Sequence, residues 1–274
     1  MNAKDLALRI CRTLSANGHQ AYLVGGCVRD LELGRMPGDY DVATDAPPDR
    51  VEKLFPGCIT VGAKFGVILA VEDGAQVEVA TFRSDLGYSD GRHPDHVVYS
   101  RTPEEDVRRR DFTINGLLLD PQSGKVLDFV GGRDDLKAGL VRAIGDPECR
   151  FAEDKLRLVR AVRFAARFGY RIEAQTFAAI RKLAPLVRQV SAERLREELT
   201  RLLTEGAARR SLEILDEAGL LSPLLPDIAR MKGVQQPPQF HPEGDVWTHT
   251  LLMLEQLTAG CPLTLAWGVL LHDV

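Results

Sequence analysis

The 274 residues carry a formal net charge of −4, with 45% hydrophobic and 27% charged residues. That length exceeds one small core and predicts two domains or more, while the mixed composition is that of a soluble globular chain. The acidic balance excludes a protein that coats nucleic acid by bulk charge, so any nucleic-acid contact must come from local basic patches.

In chain order, residues 4–17 predict an amphipathic helix closed by the Asn17-Gly18 stop signal. Lys4 and Asp5 within it, and the lack of a small-residue cleavage site, argue against a signal peptide. A short buried strand at Ala21–Val24 leads through Gly25-Gly26 into a helix over about 28–33. A strand at 40–43 lies between Gly38 and Pro47-Pro48, and 49–55 reads as helix. Two β-branched runs, 67–71 and 77–82, flank Asp73-Gly74, a hairpin signal. Residues 84–104 are polar and contain Gly87, Gly91, Pro94 and Pro103, which predicts a long loop. Further strands are expected at 112–119 and 126–129. From about Pro147 helical periodicity takes over, with helices at 151–168, 174–187, 191–204 and 207–218. Pro223, Pro226 and Pro237-Pro238 mark a break near 221–240, and 245–274 is helical, stopping inside an apolar run. The expected class is α+β, an α/β half followed by an all-α half. Five scattered cysteines without a CxxC pair predict a reducing, cytoplasmic setting rather than a disulfide framework or zinc ribbon. No stretch approaches the ~18 apolar residues of a membrane span, so no membrane partner is expected, and no protein partner can be inferred.

Asp39-Tyr40-Asp41 sets two acids two residues apart on a predicted strand. Strand side chains alternate, so both carboxylates would leave one face about 7 Å apart at the backbone. Like charges that close raise a pKa unless a cation lies between them, and Mg²⁺ takes one or two carboxylates together with substrate phosphates. The same pair also fits two solvated turn residues. Glu78, within the β-branched run, is either a solvated-face carboxylate or a third ligand. Gly25-Gly26, ahead of Arg29, lets the backbone approach a phosphate, with a helix N-terminus and a guanidinium beside it. No GK[ST] follows, and a plain strand–helix turn is the alternative. Arg157, Arg160, Arg163 and Arg167 fall within an arc of roughly 120° on a helix, interleaved with Leu156 and Phe164 and edged by Phe168. That is either a solvated basic face or a cleft wall whose guanidiniums address bases. Asp154 lies beside Arg157 there, so the two could present an acceptor and donors together. Arg108-Arg109-Arg110 sits at a loop–strand junction, where loops position functional groups.

LVGGCVRDLELG, GDYDVAT, VEVATFR, RRRDFTINGL, the GGRDDL turn and IGDPECRFAEDKLRLVRAVRFAARFGY follow one another over about residues 20–225. The set resembles the bacterial tRNA nucleotidyltransferase and poly(A) polymerase family, of the class II CCA-adding type. The resemblance implies a nucleotidyltransferase head on a small mixed β-sheet (1–145), a helical neck for base recognition and RNA binding (146–225), and the start of a helical body (226–274). It implies that Asp39 and Asp41 bind metal, expected to be Mg²⁺, with Glu78 as the third acidic catalytic position. Gly26, Arg29 and Arg110 would contact the triphosphate. Asp154 and Arg157 would read the base as the pair of an EDxxR motif, and Arg160 and Arg163 would line the nucleotide pocket. The implied reaction is template-independent transfer of CMP and AMP from CTP and ATP to the 3′ end of tRNA. CC-only, A-only and poly(A)-adding members share these motifs. The loop 83–104, with its YxDxRxP pattern, resembles that of CCA-adding members.

His249 and His272-Asp273 resemble the H…HD pattern of HD-domain phosphohydrolases, in which such residues bind a metal, and His241 in FHPEGD has a similar context. That pattern includes a later Asp, and the apolar run at Val274 predicts a longer natural chain. Beside the transferase, two other classes therefore stay open: a metal-dependent phosphohydrolase and a non-catalytic RNA-binding relative. The intact Asp39/Asp41 pair argues against the second.

Overall fold

The computed structural model describes residues 1–62, 66–87, 96–237, 239 and 244–274. Two compact units emerge, Met1–Ala138 with Arg142–Gly145, and Gly139–Val141 with Asp146–Val274. The class is α+β, with a mixed sheet and flanking helices in the first unit and helices dominating the second.

The first unit opens with α1 (Ala3–Ala16), where the Asn2 side chain accepts from the Asp5 N–H at 2.9 Å and caps the first turn. Its buried Leu6, Ala7, Ile10, Cys11 and Leu14 recur at three- and four-residue steps, which makes one apolar stripe. Next come β1 (Ala21–Val24), α2 (Gly26–Glu32), β2 (Asp41–Thr44), α3 (Pro48–Leu54), β3 (Cys58–Gly62), β4 (Val67–Glu72) and β5 (Ala75–Thr81). β6 (Arg83–Leu86), β7 (His96–Tyr99), α4 (Pro103–Arg108), β8 (Leu117–Leu119), β9 (Val126–Asp128) and α5 (Gly132–Ala138) complete it. Seven strands form one sheet in the order β3-β4-β5-β2-β1-β8-β9. β2 and β5 run parallel and every other neighbouring pair antiparallel. The expected β4–β5 hairpin turns through Asp73 (φ 48°) and Gly74 (φ 79°), the positive-φ pair that a two-residue turn between twisted strands requires. Along β5 burial alternates, so Val77 and Val79 face the core and Glu78 faces out. Val24, Ala43, Phe82, Val107 and Leu118 form a buried cluster under the sheet, with Tyr22, Leu127 and Val130 packed on it.

Two expectations need correction here. Residues 84–104 are not one long loop. β6 and β7 pair antiparallel and α4 starts at Pro103; the β-branched and aromatic residues at 97–99 outweigh the polar composition and its scattered glycines and prolines. Tyr88, Asp90, Arg92 and Pro94 of the YxDxRxP pattern lie outside the described residues, as does His241. Residues 112–119 are not one strand. A 3₁₀ turn at Thr113–Asn115 precedes β8, because Asp111 Oδ1 accepts from the Phe112 N–H at 2.7 Å and from Asn115 Nδ2 at 3.0 Å, curling the chain.

In the second unit, β10 (Leu140–Val141) precedes α6 (Pro147–Glu153) and α7 (Leu156–Phe168), and β11 (Arg171–Ile172) pairs in parallel with β10. α8 (Ala174–Leu183), α9 (Ala192–Thr204), α10 (Ala208–Glu217), α11 (Leu221–Leu224), α12 (Pro226–Arg230), α13 (Val246–Glu255) and α14 (Leu263–Leu271) follow. α7 is the hub. Leu158, Val159, Ala161 and Val162 are wholly buried and it packs on both α9 and α10. It closes at Gly169 in the left-handed region (φ 69°), the conformation that a glycine C-cap adopts without strain. The single helix expected at 151–168 is broken at Asp154, whose backbone is extended (φ −146°, ψ 107°). Its carboxylate accepts from the Leu156 N–H at 3.1 Å and serves the start of α7 instead. The helix expected at 174–187 likewise gives way to a 3₁₀ turn at Ala184–Gln189, and 245–274 divides into α13 and α14. All five cysteines are free thiols. Among the described residues, no helix is long and apolar enough to cross a membrane.

Candidate active site

The acids of the first unit gather where β1 ends, β2 begins and β5 passes beside it. In the parallel register Asp41 is the partner of Glu78, so their side chains leave the same face side by side. Asp41 is also the partner of Val24, which sets Gly25 and Gly26 next to the Asp39–Asp41 stretch. Asp39 precedes β2 rather than lying on it, a departure from the expected single strand. It nevertheless stands over the glycine pair. A Cβ on Gly26 would meet Asp39 Oδ1 at 4.0 Å and Arg29 Nη2 at 3.5 Å. Burial, with Asp39 and then Glu78 adding repulsion, pushes Asp41 up from 3.8 to about 7, and Arg110 opposes this only in part. Two carboxylates that repel the charge of a third, half-buried one form an arrangement that a multivalent cation relieves. Oxygen-only donors of this kind suit a hard divalent ion such as Mg²⁺.

Around the acids stand the basic residues. Gly25 caps α2 with φ 76° and ψ −130°, a conformation reserved for glycine, and a Cβ there would meet Arg110 Nη1 at 3.5 Å. Arg110 is tied to Asp106, whose Oδ2 accepts its Nε and Nη2 at 3.2 and 2.8 Å. Asp106 Oδ1 accepts Nε and Nη2 of Arg109 at 2.9 and 2.6 Å, so one buried carboxylate steadies two guanidiniums. Burial works to raise the Asp106 pKa, yet Arg110 and Arg109 hold it below the ordinary carboxylate range. The guanidinium fork that the sequence offers to a phosphate at Arg29 is engaged within the protein. Arg29 is 4% exposed, its Nε and Nη2 lie on Asp30 Oδ1 at 2.9 and 2.8 Å, and its Nη1 donates to Asn115 Oδ1 at 2.6 Å. Asn115 in turn donates to Asp111 at 3.0 Å. Sequence reasoning passed over Asp106 and Asn115, although both belong to stretches it had singled out or adjoined.

In the second unit the expected Asp154–Arg157 pair is not formed. Arg157 Nη1 donates to Glu153 Oε2 at 2.6 Å and to the Arg150 carbonyl at 3.0 Å. Asp154 instead receives both arms of Arg194, at 3.1 and 2.8 Å. Arg160 lies over the Phe164 ring, 5.3 Å from its centroid, and Arg163 over the same ring at 4.4 Å. Arg163 is 3% exposed, with Nε on Glu198 and Nη1 on Glu205. Arg163, expected to line a nucleotide pocket, thus ties α7 to Glu198 midway along α9 and to Glu205 at its C-terminal end. Arg194 and Glu198 lie outside the arginine stripe, and only the repeated Arg/Glu spacing within 193–198 hinted at them.

A second group of ligand types lies at α13 and α14. One ligand atom each from His249, His272 and Asp273 falls within 4.8 Å of the others, the His249 and His272 rings are 5.3 Å apart, and His272 Nε2 is 3.3 Å from Asp273 Oδ2.

Residues 21–142 match the family described as the Poly A polymerase head domain, and 169–232 match that described as a probable RNA and SrmB-binding site of polymerase A. The chain is 44% identical over 223 residues to the CCA-adding enzyme of Geobacillus thermodenitrificans (strain NG80-2), covering 81% of this chain and 55% of that one. With the CCA-adding enzyme of Lactobacillus helveticus (strain DPC 4571) it shares 39% identity over 254 residues, 91% of this chain and 63% of that one. Its fold superimposes on the crystal structure of the Bacillus stearothermophilus CCA-adding enzyme in complex with CTP, with TM-score 0.72 at 42% identity, over 78% of this chain and 52% of that one. The chain thus spans little more than half the length of the curated relatives it matches.

Proposed function

The chain belongs to the family of the poly(A) polymerase head domain and the CCA-adding enzymes, and from that premise we propose that it adds CMP and AMP from CTP and ATP to the 3′ end of tRNA without a nucleic-acid template. The observation that carries the reading is the register of Asp41 with Glu78 beneath Asp39, with Asp41 pushed up to about 7. Asp39 and Asp41 would hold divalent metal, proposed to be Mg²⁺, with Glu78 as the third acid. Bound there, the metal supplies Lewis-acid activation of the attacking 3′-hydroxyl and charge for the departing pyrophosphate.

The residues of the chain do the rest. Gly25 and Gly26 leave room for the triphosphate against the backbone, and Arg110, fixed by Asp106, offers it positive charge. Arg29, locked to Asp30 and Asn115, adds positive potential behind the glycines and fixes the first turn of α2. The transfer then rests on positioning and charge stabilisation. Choice of nucleotide is assigned to Asp154 and Arg157, with Arg160 beside Phe164 as a stacking surface for the base. Cytosine and adenine both present an exocyclic amino donor next to a ring nitrogen acceptor, and a carboxylate with a guanidinium matches that order. In this reading residues 1–145 are catalytic, 146–225 select the base and bind RNA, and 226–274 begin a helical body. The cytoplasm, where thiols stay reduced, suits five free cysteines.

The reading is tested by incubating the protein with Mg²⁺, labelled CTP or ATP, and tRNA lacking its 3′ CCA. Extension supports the transferase. RNA binding without extension supports a non-catalytic relative. A second reading, a metal-dependent phosphohydrolase, is favoured by the 4.8 Å convergence of His249, His272 and Asp273; hydrolytic opening of a cyclic phosphodiester to its phosphomonoester without extension supports it.

A further inference from the structure

The carboxylate of Asp154 is nearly filled by its own protein. Oδ1 accepts the Leu156 N–H at 3.1 Å and Arg194 Nη1 at 3.1 Å, and Oδ2 accepts Arg194 Nη2 at 2.8 Å. An ionised carboxylate offers about four lone-pair sites. Two are taken on Oδ1 and one on Oδ2, so a single acceptor position remains, on Oδ2. The two side chains are 21% and 16% exposed, which shelters the pair and leaves it within reach of a ligand. Arg194 belongs to the first turn of α9, whereas Asp154 lies in the extended link between α6 and α7. The fork therefore fixes the carboxylate from a separate element, in plane and in rotation.

We infer that Arg194 is a positioning residue that turns Asp154 into a single-site acceptor and thereby excludes guanine. The inference rests on the reading of Asp154 as a base-reading residue. Cytosine and adenine need one acceptor for one amino hydrogen, and the open position on Oδ2 provides it. Guanine presents two adjacent donors, N1–H and the 2-amino group, on the edge that is read. A free carboxylate accepts both, in the same two-pronged geometry by which it accepts a guanidinium. With Arg194 in place the second oxygen is occupied, and one guanine donor is left without a partner in a sheltered site. Unpaired donors of that kind are what separate the right ligand from the wrong one in sites built on hydrogen bonds. An ion pair that only tied α9 to the α6–α7 link would alter stability without altering base preference.

The test measures dissociation constants of CTP and GTP by equilibrium dialysis on the full chain, for the parent, Arg194→Met, Arg194→Lys, Asp154→Ala and the double variant Asp154→Ala/Arg194→Met. Arg194→Met is expected to shift the CTP-to-GTP preference toward GTP by about tenfold or more, chiefly through tighter GTP binding. Arg194→Lys, which keeps the charge and loses the fork, is expected to shift it in the same direction by less. On the Asp154→Ala background the Arg194 change is expected to add nothing, since the two act through one carboxylate. If Asp154→Ala changes the preference while both Arg194 variants stay within about twofold of the parent, the role of Arg194 is overturned and the base-reading role of Asp154 stands. If Asp154→Ala leaves the preference unchanged, or the parent does not distinguish CTP from GTP, both are overturned. Should Arg194→Met lose its cooperative melting transition, Arg194→Lys decides the same question, a shifted ratio supporting the inference and an unshifted one refuting it.

Discussion

Asp41 and Glu78 are direct partners in the parallel register of β2 and β5, with their carboxylates on the open face of the sheet. Behind them Val42 and Val79, partners in the next register position, are both fully buried. The sheet thus turns one apolar pair inward to anchor the strands and one acidic pair outward. Period-two alternation alone produces both.

Removing the central acid separates chemistry from binding. Asp41→Ala is expected to abolish nucleotide incorporation, a loss of at least about a thousandfold, while CTP affinity in the absence of metal falls no more than about threefold, because Arg110, Arg29 and the glycines remain. Incorporation assays and nucleotide binding on the same preparation check this; near-normal turnover refutes the assignment.

Stability should depend on pH through Asp41. Its folded pKa, about 7, lies above its ordinary value of 3.8. The folded state therefore binds a proton more tightly than the unfolded chain. Stability from this group is complete below about 4 and is lost as pH rises toward 7. Metal-free protein is expected to melt at a lower temperature at pH 7.5 than at pH 5.5 because of this residue, and Asp41→Asn to flatten that part of the profile. Added Mg²⁺ is expected to raise the melting temperature of the parent at pH 7.5 more than that of Asp41→Asn. A parent and variant with superimposable pH profiles contradict the shift.

Asp106 supports the site from beneath. Its carboxylate is wholly buried and divides its two oxygens between Arg109 and Arg110. Asp106→Ala removes the acceptor that both guanidiniums share, and the expected cost is about 3 kcal/mol in urea unfolding, in the range for breaking a buried pair. Triphosphate affinity is expected to weaken as Arg110 loses its orientation. A cost under about 1 kcal/mol with unchanged affinity contradicts the supporting role.

Arg157→Ala is expected to relax base choice more than it lowers overall triphosphate affinity. The ratio of CTP to GTP incorporated checks it, and an unchanged ratio counts against the base-reading role. Glu153 and the Arg150 carbonyl hold Arg157 Nη1, so Glu153→Gln is expected to move the ratio in the same direction by less.

Much of this was legible in the sequence because it depends on local pattern. The β4–β5 hairpin followed from Asp73-Gly74 and the change to helices from periodicity, while the β-branched run left Glu78 as either a solvated carboxylate or a third ligand. What was not legible depends on partners far along the chain. Asp154 lies next to Arg157 on a helical projection, yet its backbone leaves the helix to cap α7 and its carboxylate is claimed by Arg194, forty residues away. Arg163 reads as one of four stripe arginines, and only the position of Glu198 and Glu205 on the same side shows that it is buried. Arg29 similarly gives up one arm of its guanidinium, Nη1, to Asn115, a residue 86 positions later. The β6–β7 pairing was hidden for a different reason: the stretch is mostly polar and punctuated by Gly87, Gly91, Pro94 and Pro103, and that composition masked three strand-forming residues.

The most direct test of the account is the length and sequence of the product on tRNAs that end before C, after the first C and after the second C of the 3′ terminus, with CTP, ATP and Mg²⁺ supplied together. The account predicts that every substrate is completed to CCA and extended no further, and that no product forms with Asp41→Ala. Products that stop at CC, that gain only A, or that run on into a poly(A) tail contradict CCA addition, and an absence of any extension contradicts nucleotidyl transfer at the Asp39, Asp41 and Glu78 site.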